Sequence, residues 1–337
     1  IYPRYFNTKN QQALATKIST LENGQSALVL SSGMAAITST LYTFLNQGDH
    51  VVFQSALYGG TIHFIGRELN RFGIEYTFVH STDVKDFEKA IRDNTKIIYI
   101  ETPSNPLLKI TDLEALANMA KSENILSIID NTFASPVNQN PIDWWMDIVI
   151  HSATKYLNGH HDVTAGAIIS TKERIEQITE TARNFGGSLD ARICYLLERS
   201  LKTLYVRVKK QNENALQLAR FLEDHRQVGK VNYPGLESHP GHETAKRQMR
   251  GFGGMLSFEL KDSRIIQFQK NLKLIRPAVS LGGVDTIVSS PVLTSHKSLS
   301  HEELEREGIS ESLIRLSAGI ENADDLIEDL DQAMDGL

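Results

Sequence analysis

The chain contains the stretch Ile125-Leu126-Ser127-Ile128-Ile129-Asp130-Asn131-Thr132-Phe133, an apolar run that ends abruptly in polar residues. A short run of this kind, rich in β-branched residues, is typical of a strand buried on both faces of a parallel sheet. Ligands of open α/β sheets bind outside the carboxyl ends of the strands. The pattern therefore predicts that Asp130 lies at a ligand site.

Similar apolar runs alternate with helical periodicity on both sides of this stretch, as is typical of βαβ units around a mostly parallel sheet. Helices are predicted over residues 13–21, 33–45, 60–72, 84–92 and 113–122. Seven strands are predicted over residues 27–30, 50–54, 75–79, 96–101, 125–130, 147–151 and 165–170.

The pattern changes near Arg199, where we predict a domain boundary. Beyond it come a long helix, two strand-like pieces and a closing helix, over residues 201–224, 228–233, 255–260 and 323–334. We therefore predict an α/β fold, with a large domain of mixed, mostly parallel sheet over residues 11–199 and a smaller C-terminal α/β domain over residues 200–337. Residues 1–7 show neither helix caps nor strand alternation, and residues 1–10 are interpreted as the extended end of an N-terminal arm.

Charge and composition exclude several classes of function. The 337 residues include 35 Lys and Arg against 41 Asp and Glu, without a block of like charges, which predicts no nucleic-acid partner. No apolar run approaches the roughly 20 residues that cross a bilayer, so no membrane partner is expected. A single cysteine, Cys194, cannot form an intrachain disulfide and fits a reducing cytoplasm. A small ligand is favoured.

Two opposite charges follow two strands of the predicted sheet. Asp130 ends one strand, and Lys155 follows another in Ser152-Ala153-Thr154-Lys155. Taken singly, such an Asp is usually a turn or helix cap and such a Lys is usually solvated. Together they match what pyridoxal phosphate requires: a lysine that forms the Schiff base and a carboxylate that neutralises the pyridinium nitrogen.

A phosphate site is predicted at the start of a helix. Small residues in Ser31-Ser32-Gly33-Met34 leave the first backbone N–H groups of that helix open to an anion. Hydroxyls of Ser152 and Thr154 could add donors, and the ring of Tyr58 could lie on a planar cofactor. By itself, a Ser-Ser-Gly helix start is more often a plain N-cap, and Tyr58 could be an ordinary core or surface residue.

Six motifs in this order resemble the Cys/Met-metabolism pyridoxal-phosphate enzymes, the group of cystathionine γ-synthase, cystathionine γ-lyase and methionine γ-lyase. The resemblance extends from Tyr2 to the C-terminal helix. The motifs are Tyr58-Gly59-Gly60-Thr61, Glu101-Thr102-Pro103-Ser104-Asn105-Pro106, Asp130-Asn131-Thr132-Phe133, Ser152-Ala153-Thr154-Lys155-Tyr156-Leu157-Asn158-Gly159-His160, Ser280-Leu281-Gly282-Gly283 and Arg315-Leu316-Ser317-Ala318-Gly319-Ile320-Glu321.

The resemblance implies a role for each matched residue. Lys155 carries the Schiff base, Asp130 partners the pyridine nitrogen, and Tyr58 stacks on the ring and assists departure of the γ substituent. Arg315 takes the substrate carboxylate and Asn105 contacts both that carboxylate and the ring oxygen, beside the Ser280 segment. The phosphate is held by the group Gly33, Met34, Ser152 and Thr154.

The same resemblance implies a shared fold and an assembly. The fold is that of the PLP-dependent transferases of the aspartate aminotransferase type. Tyr2 and Arg4 match a pair that reaches the phosphate of a neighbouring subunit's cofactor. A homodimer, commonly paired into a homotetramer, is therefore expected.

The implied reaction is γ-elimination or γ-replacement on cystathionine or an O-acylhomoserine, a small sulfur amino acid or homoserine ester. Methionine γ-lyase activity is the alternative: Val279 matches that enzyme, whereas Gly60 does not, and Leu157 to His160 resemble the cystathionine enzymes. A protein of this fold that binds pyridoxal phosphate without turnover is a further alternative, disfavoured by the presence of both Lys155 and Arg315. The histidines in His160-His161-Asp162 and His239-Pro240-Gly241-His242 lack metal-ligand spacing with a defined third ligand, so no metal is expected.

Overall fold

The central feature of the computed structural model, which describes residues 1–294, 296–297 and 299–337, is a large mixed sheet. Over these residues seven strands form it in the order β1-β7-β6-β5-β4-β2-β3. Their bounds are β1 Ser26–Leu30, β2 His50–Gln54, β3 Glu75–Val79, β4 Thr95–Glu101, β5 Leu126–Asp130, β6 Ile148–His151 and β7 Gly166–Ser170. The predicted seven strands and the α/β class are confirmed.

Strand directions explain the mixed character of this sheet. The pairs β3-β2, β2-β4, β4-β5 and β5-β6 are parallel, whereas β7 runs antiparallel to both β6 and β1. Parallel strands covered on both faces are expected to be apolar throughout. Four of the five residues of β5 are buried, and every residue of β2, β6 and β7 is buried.

Helices cover both faces of the large sheet. Within the described residues they are α1 Lys9–Leu21, α2 Gly33–Phe44, α3 Gly59–Phe64, α4 Val84–Lys89, α5 Leu113–Ser122, α6 Ser135–Asn138, α7 Lys172–Phe185 and α8 Ala191–Leu201. The predicted helix over residues 60–72 continues beyond α3 as a π-helical turn, Ile65–Leu69. The sequence analysis did not identify α7, although Thr171 caps its first turn and Gly186 ends it in a left-handed conformation.

The interpretation of residues 1–10 as extended is wrong in its local structure. Pro3–Tyr5 is a 3-10 turn, and α1 begins at Lys9, four residues before the predicted start. The cause is a capping box in which the Thr8 hydroxyl accepts from the Gln11 backbone and the Gln11 side chain accepts from the Thr8 N–H. The sequence signal Thr-x-x-Gln was present and was missed.

A smaller sheet follows in the C-terminal part of the chain. Its described strands lie in the order β10-β11-β12-β9-β8, with bounds β8 Val228–Asn232, β9 Met255–Leu260, β10 Arg276–Pro277, β11 Ile287–Ser289 and β12 Leu313–Ser317. The helices of this part are α9 Leu204–Asp224, α10 His242–Gln248, α11 Ile265–Asn271, α12 His301–Glu307 and α13 Ala323–Asp335. The second sheet confirms a smaller α/β unit, while the boundary at residues 199–200 stays a prediction.

The two sheets bring distant parts of the sequence to one place. Strands β4, β5 and β6 are parallel, so their carboxyl ends meet at one edge, with Glu101 beside Asp130 in the register. The N-terminus of α2 and one residue of β12, Arg315, line the same cavity as these strand ends. The site is therefore built from both sheets.

Candidate active site

One cavity of about 680 Å³ lies at the carboxyl edge of the large sheet. This volume is in the range of small-molecule sites. Eleven of the thirteen residues predicted for the site line it: Gly33, Met34, Tyr58, Asn105, Asp130, Ser152, Thr154, Lys155, Val279, Ser280 and Arg315.

 The remaining two, Tyr2 and Arg4, do not line it. The structure thus brings together residues that are more than 280 positions apart in the chain.

Two carboxyl groups lie side by side at the strand ends. Asp130 Oδ1 accepts from the Thr132 N–H at 3.0 Å, and Glu101 Oε2 accepts from the Tyr58 N–H at 2.9 Å. Burial raises the pKa of Asp130, against hydrogen bonds from Thr132 and the charges of His151 and Lys155. Burial and the neighbouring Asp130 raise the pKa of Glu101 well above the usual range. A cation that faced Asp130 would favour its ionised form.

Lys155 lies in the turn that follows β6. Its Nζ donates to the Ser280 hydroxyl at 2.9 Å. Burial and the charge of Arg315 lower the pKa of Lys155 to about 8, and Asp130 acts in the opposite direction. A large fraction of this amine is therefore neutral near pH 8, as a nucleophile or a general base must be.

The N-terminus of α2 lies at one end of the cavity. Ser32 caps the helix by accepting from the Ala35 N–H at 3.0 Å, and the N–H groups of Gly33 and Met34 belong to the first turn, where no intrahelical acceptor exists. A Cβ at Gly33 would stand 2.9 Å from the Ser152 Cβ, so only glycine allows this close approach. Ser152 therefore lies directly against the open end of the helix.

The predicted phosphate contact from Thr154 is only partly supported. Thr154 lines the cavity, but its hydroxyl accepts from the Ala165 N–H at 3.0 Å and lies 3.2 Å from the Ala165 carbonyl, to which it donates. The hydroxyl proton would have to leave this carbonyl to reach an anion. The role of Thr154 stays a prediction.

Arg315 closes the opposite side of the cavity. Its Nη1 donates to Asn105 Oδ1 at 3.0 Å and its Nη2 donates to the Ser280 carbonyl at 3.1 Å. Burial lowers the pKa of Arg315 to about 10, which still leaves the guanidinium charged at neutral pH. Two of its five donors are thus fixed by the protein, and the planar group is oriented for a carboxylate.

Val279 lies at the mouth of the cavity and is 70% exposed. A second recess of about 550 Å³ adjoins there, sharing Val279 and Ser280 with the first cavity. Its wall carries Asp162, Asp285 and Arg276. Charges of both signs therefore lie beyond the point where a long substrate would leave the first cavity.

Tyr2 and Arg4 lie at the outside of the subunit. The Arg4 Nη1 donates to the Arg183 carbonyl at 3.0 Å, and its guanidinium lies 4.8 Å from the centroid of the Tyr5 ring. Tyr2 is exposed and packs edge-on against Tyr5. Neither side chain contributes to the cavity of its own chain.

Sequence reasoning did not assign several residues of the cavity wall. Glu101 ends an apolar strand just as Asp130 does, so the same signal could have identified it. Thr132 and Phe133 stand in a motif that was quoted but not interpreted residue by residue. Leu293 and Thr294 reach the cavity from a loop without any sequence signal.

No group of three or more His, Cys, Asp or Glu side chains among the described residues could hold a metal ion. No helix among these residues is long and apolar enough to cross a membrane.

Comparison with known protein families matches residues 1–335 to the model described as Cys/Met metabolism PLP-dependent enzyme. The chain is 47% identical to a cystathionine γ-lyase of Bacillus subtilis, over 99% of this chain and 89% of that protein. It is 46% identical to the cystathionine β-lyase MetC of the same organism, over 97% of this chain and 84% of that protein.

Two further matches have similar extent. An L-methionine γ-lyase of Fusobacterium nucleatum is 45% identical, over 100% of this chain and 86% of that protein. The crystal structure of cystathionine γ-lyase from Lactobacillus plantarum complexed with L-serine superposes with a TM-score of 0.96 at 39% identity, covering 99% of this chain and 88% of that one.

Proposed function

Because the chain belongs to the Cys/Met metabolism PLP-dependent enzyme family, we propose that it cleaves cystathionine by γ-elimination. The family makes it a carbon–sulfur lyase whose cofactor is pyridoxal 5′-phosphate. The proposed reaction consumes cystathionine and water and releases cysteine, 2-oxobutyrate and ammonia. The observation that carries the proposal is the single cavity shared by Lys155, Asp130 and Arg315.

The residues present fit the cofactor in three respects. Because Gly33 has no Cβ, there is room for an anion at the N-terminus of α2, where the helix dipole also favours negative charge. Asp130 is a buried carboxylate that forms no ion pair with an arginine among the described residues and could pair with a pyridinium nitrogen. Lys155 supplies the amine. When bound, the cofactor supplies an electron sink for the charge that develops at the substrate α-carbon.

Lys155 and Tyr58 are proposed to move the protons. The Lys155 amine, neutral in part near pH 8, takes the α proton of the substrate, releases it within the site, and as a neutral amine again takes a β proton. The Ser280 hydroxyl holds that amine at 2.9 Å and so limits its range of positions. The Tyr58 hydroxyl donates a proton to the departing sulfur, because a thiol leaves more easily than a thiolate.

Arg315 and Asn105 are proposed to orient the substrate. The guanidinium binds the α-carboxylate, while Asn105 Oδ1 holds the guanidinium plane at 3.0 Å. Reaction geometry depends on this placement, since a fixed carboxylate directs the α-carbon toward Lys155.

Cystathionine is favoured over methionine by the second recess. Cystathionine ends in an amino-acid group, with one charge of each sign, whereas methionine ends in a methyl group. Asp162, Asp285 and Arg276 beyond Val279 offer partners for both charges of such a group. The methyl group of methionine offers these three side chains no charge to contact.

A substrate panel tests the proposal and its alternatives. Cystathionine should yield 2-oxobutyrate and cysteine in equal amounts, with kcat/KM above that for methionine. Pyruvate and homocysteine would instead indicate β-elimination, the reaction named for the MetC relative. Thioether formation from an O-acylhomoserine and a thiol would indicate γ-replacement, and no turnover of any substrate would indicate a PLP-binding protein without activity.

Substitution of Val279 by glutamate is expected to favour cystathionine further. A carboxylate at this position would attract the distal amino group of cystathionine and offers nothing to a methyl group. The ratio of kcat/KM for cystathionine to that for methionine should rise at least about threefold, in keeping with one partly exposed charge contact. Val279→Gln is the uncharged control. An unchanged ratio would mean that residue 279 does not contact the distal end of the substrate.

We propose that Tyr2 and Arg4 serve the cofactor of a second subunit in a homodimer, which could pair further into a tetramer. Their position outside their own cavity supports this, and within the described residues the exposed Arg4 contacts a carbonyl and the Tyr5 side chain but no carboxylate. The compartment proposed for this assembly is the cytoplasm, where a chain with one buried cysteine needs no oxidising conditions.

Mixing two inactive variants is expected to restore activity if the site is shared. Arg4→Ala lacks the contributed cation and Lys155→Ala lacks the amine, so each homodimer should be nearly inactive. In an equal mixture half the dimers are mixed, and one site in each is intact, so activity should recover to about a quarter of wild type. Co-expression and a cystathionine assay measure this. Recovery no greater than the sum of the two residual activities would place Arg4 outside the neighbour's site.

A further inference from the structure

A fully buried carboxylate lies behind the cavity and takes no part in the chemistry described above. Glu22, at the end of α1, has no exposed surface. Its Oε1 lies 2.5 Å from His151 Nε2 and accepts from Asn131 Nδ2 at 2.8 Å. Its Oε2 accepts from Asn140 Nδ2 at 3.2 Å. Every polar contact of this carboxylate is therefore made by a buried side chain.

The charge of Glu22 requires a partner. An ionised carboxylate taken out of water is strongly destabilised unless a cation or several donors compensate it. His151 is the group that can supply the cation, since it is 1% exposed and in direct contact with Glu22. A buried ion pair is weak evidence that the fold is stabilised. The function of Glu22 and His151 is therefore argued from where they lie.

Glu22 joins the two segments that carry the predicted cofactor contacts. Asn131 directly follows Asp130 at the end of β5, and His151 directly precedes Ser152 at the end of β6. The backbones of these segments are also linked, because the Asn131 N–H donates to the Ile150 carbonyl at 2.9 Å. One carboxylate thus fixes both strand ends from the side opposite the cavity.

The same network extends to the third strand end. Gln139 Nε2 donates to Asn131 Oδ1 at 2.9 Å and to the Thr102 carbonyl at 3.0 Å, and Thr102 follows Glu101 of β4. On the other side, Asn140 Oδ1 accepts from Arg250. The network therefore spans the ends of β4, β5 and β6 beneath the cavity.

We propose that Glu22 and His151 are positioning residues of the cofactor site, which hold Asp130 and Ser152 in register and place a positive charge behind Asp130. The proposal rests on the proposed function, because it assumes that Asp130 pairs with the cofactor. The added feature is the buried pair of Glu22 and His151, which does not line the cavity and which controls how Asp130 contacts the cofactor.

The charge acts on Asp130 in a definite direction. The charge of His151 lowers the pKa of Asp130 against the effect of burial. The charge of Lys155, in the turn after β6, also lowers the pKa of Asp130. Glu101 and Tyr99 face Asp130 from β4. Burial raises the pKa of both groups, and the charge of Asp130 raises each of them further. Loss of the Glu22 carboxylate would remove the shared partner of His151 and Asn131, and the pairing of Asp130 with the cofactor would weaken.

The experiment compares Glu22→Gln with wild type and with a matched control. The control is Asp329→Asn, which alters another buried carboxylate, one that accepts from the N–H groups of Lys273, Leu274 and Ile275 in the smaller sheet's layer. Glu22→Gln holoenzyme should shift the pH midpoint of the cofactor's visible absorbance by about 0.5 units or more, and the dissociation constant for pyridoxal phosphate should rise at least about fivefold. Asp329→Asn should lower the melting temperature without changing either quantity.

A second variant and one measurement on wild type cover the case in which Glu22→Gln does not fold. His151→Gln keeps a donor toward Glu22 without the charge, and it should shift the absorbance midpoint in the same direction. In wild type, NMR should show a proton on His151 Nε2 that is hydrogen-bonded to Glu22 and slow to exchange with solvent.

Three results would overturn the proposal. They are a His151 Nε2 that carries no proton toward Glu22, an absorbance midpoint and cofactor affinity in both folded variants within the error of wild type, or equal shifts in Asp329→Asn. These outcomes differ from failure of the proposed function, in which wild type itself would bind no pyridoxal phosphate.

Discussion

Replacement of Lys155 by alanine is expected to reduce kcat for cystathionine at least about 10³-fold, because the variant loses the amine that we propose both to hold the cofactor and to move the α and β protons. The proposed anion site at α2 and the carboxylate of Asp130 remain. The variant should therefore still bind pyridoxal phosphate, with weaker affinity and with altered visible absorbance. Steady-state kinetics and a cofactor titration measure both effects.

The control for this variant is Lys172→Ala, an exposed lysine at the start of α7. It should match wild type in kcat and in cofactor absorbance. Retention of more than about a tenth of wild-type activity by Lys155→Ala would remove Lys155 from the proton transfers proposed here, since one general base alone contributes about 10²-fold or more.

Arg315→Lys is expected to raise KM for cystathionine about 10- to 100-fold with a smaller change in kcat. Arg315 already donates to Asn105 Oδ1 and the Ser280 carbonyl, and its remaining donors are free to take a carboxylate. A lysine keeps the charge but cannot maintain both contacts and a two-point grip on the substrate. Loss of one charge-assisted hydrogen bond accounts for about 1.5–3 kcal/mol, which is the expected change in KM.

Arg226→Lys serves as the matched control, because Arg226 is an exposed arginine paired with Asp335 away from the cavity. Its KM should equal that of wild type. An unchanged KM in Arg315→Lys would show that the substrate carboxylate binds elsewhere.

The sequence allowed prediction of the parts of the fold that follow local periodicity. Strand β5 was identifiable from its apolar run, and Asp130 from its place at the end of that run. Lys155 and Arg315 were singled out by motifs, yet only the tertiary structure shows that both lie in one cavity with Asn105. Their chemistry was therefore predictable, and their distances were not.

Other features depended on contacts that a linear pattern does not contain. Glu22 is a polar residue at the end of a predicted helix, a position where solvent exposure is the usual outcome. It is buried because it contacts Asn131, Asn140 and His151, which all lie more than 100 positions away in the sequence. The N-cap role of Thr8 was missed for a different reason. Its capping signal is local, but the residues before it are irregular, and the whole segment was therefore interpreted as extended.

We propose that Lys155 binds pyridoxal phosphate in the cavity shared with Asp130 and Arg315. Borohydride reduction of the purified holoenzyme, followed by proteolysis and mass spectrometry, identifies the lysine that carries the cofactor. One major modified peptide is expected, with the cofactor attached to Lys155, and no such peptide is expected from Lys155→Ala. Attachment to another lysine in wild type, or a protein that takes up no pyridoxal phosphate, would exclude this role of Lys155.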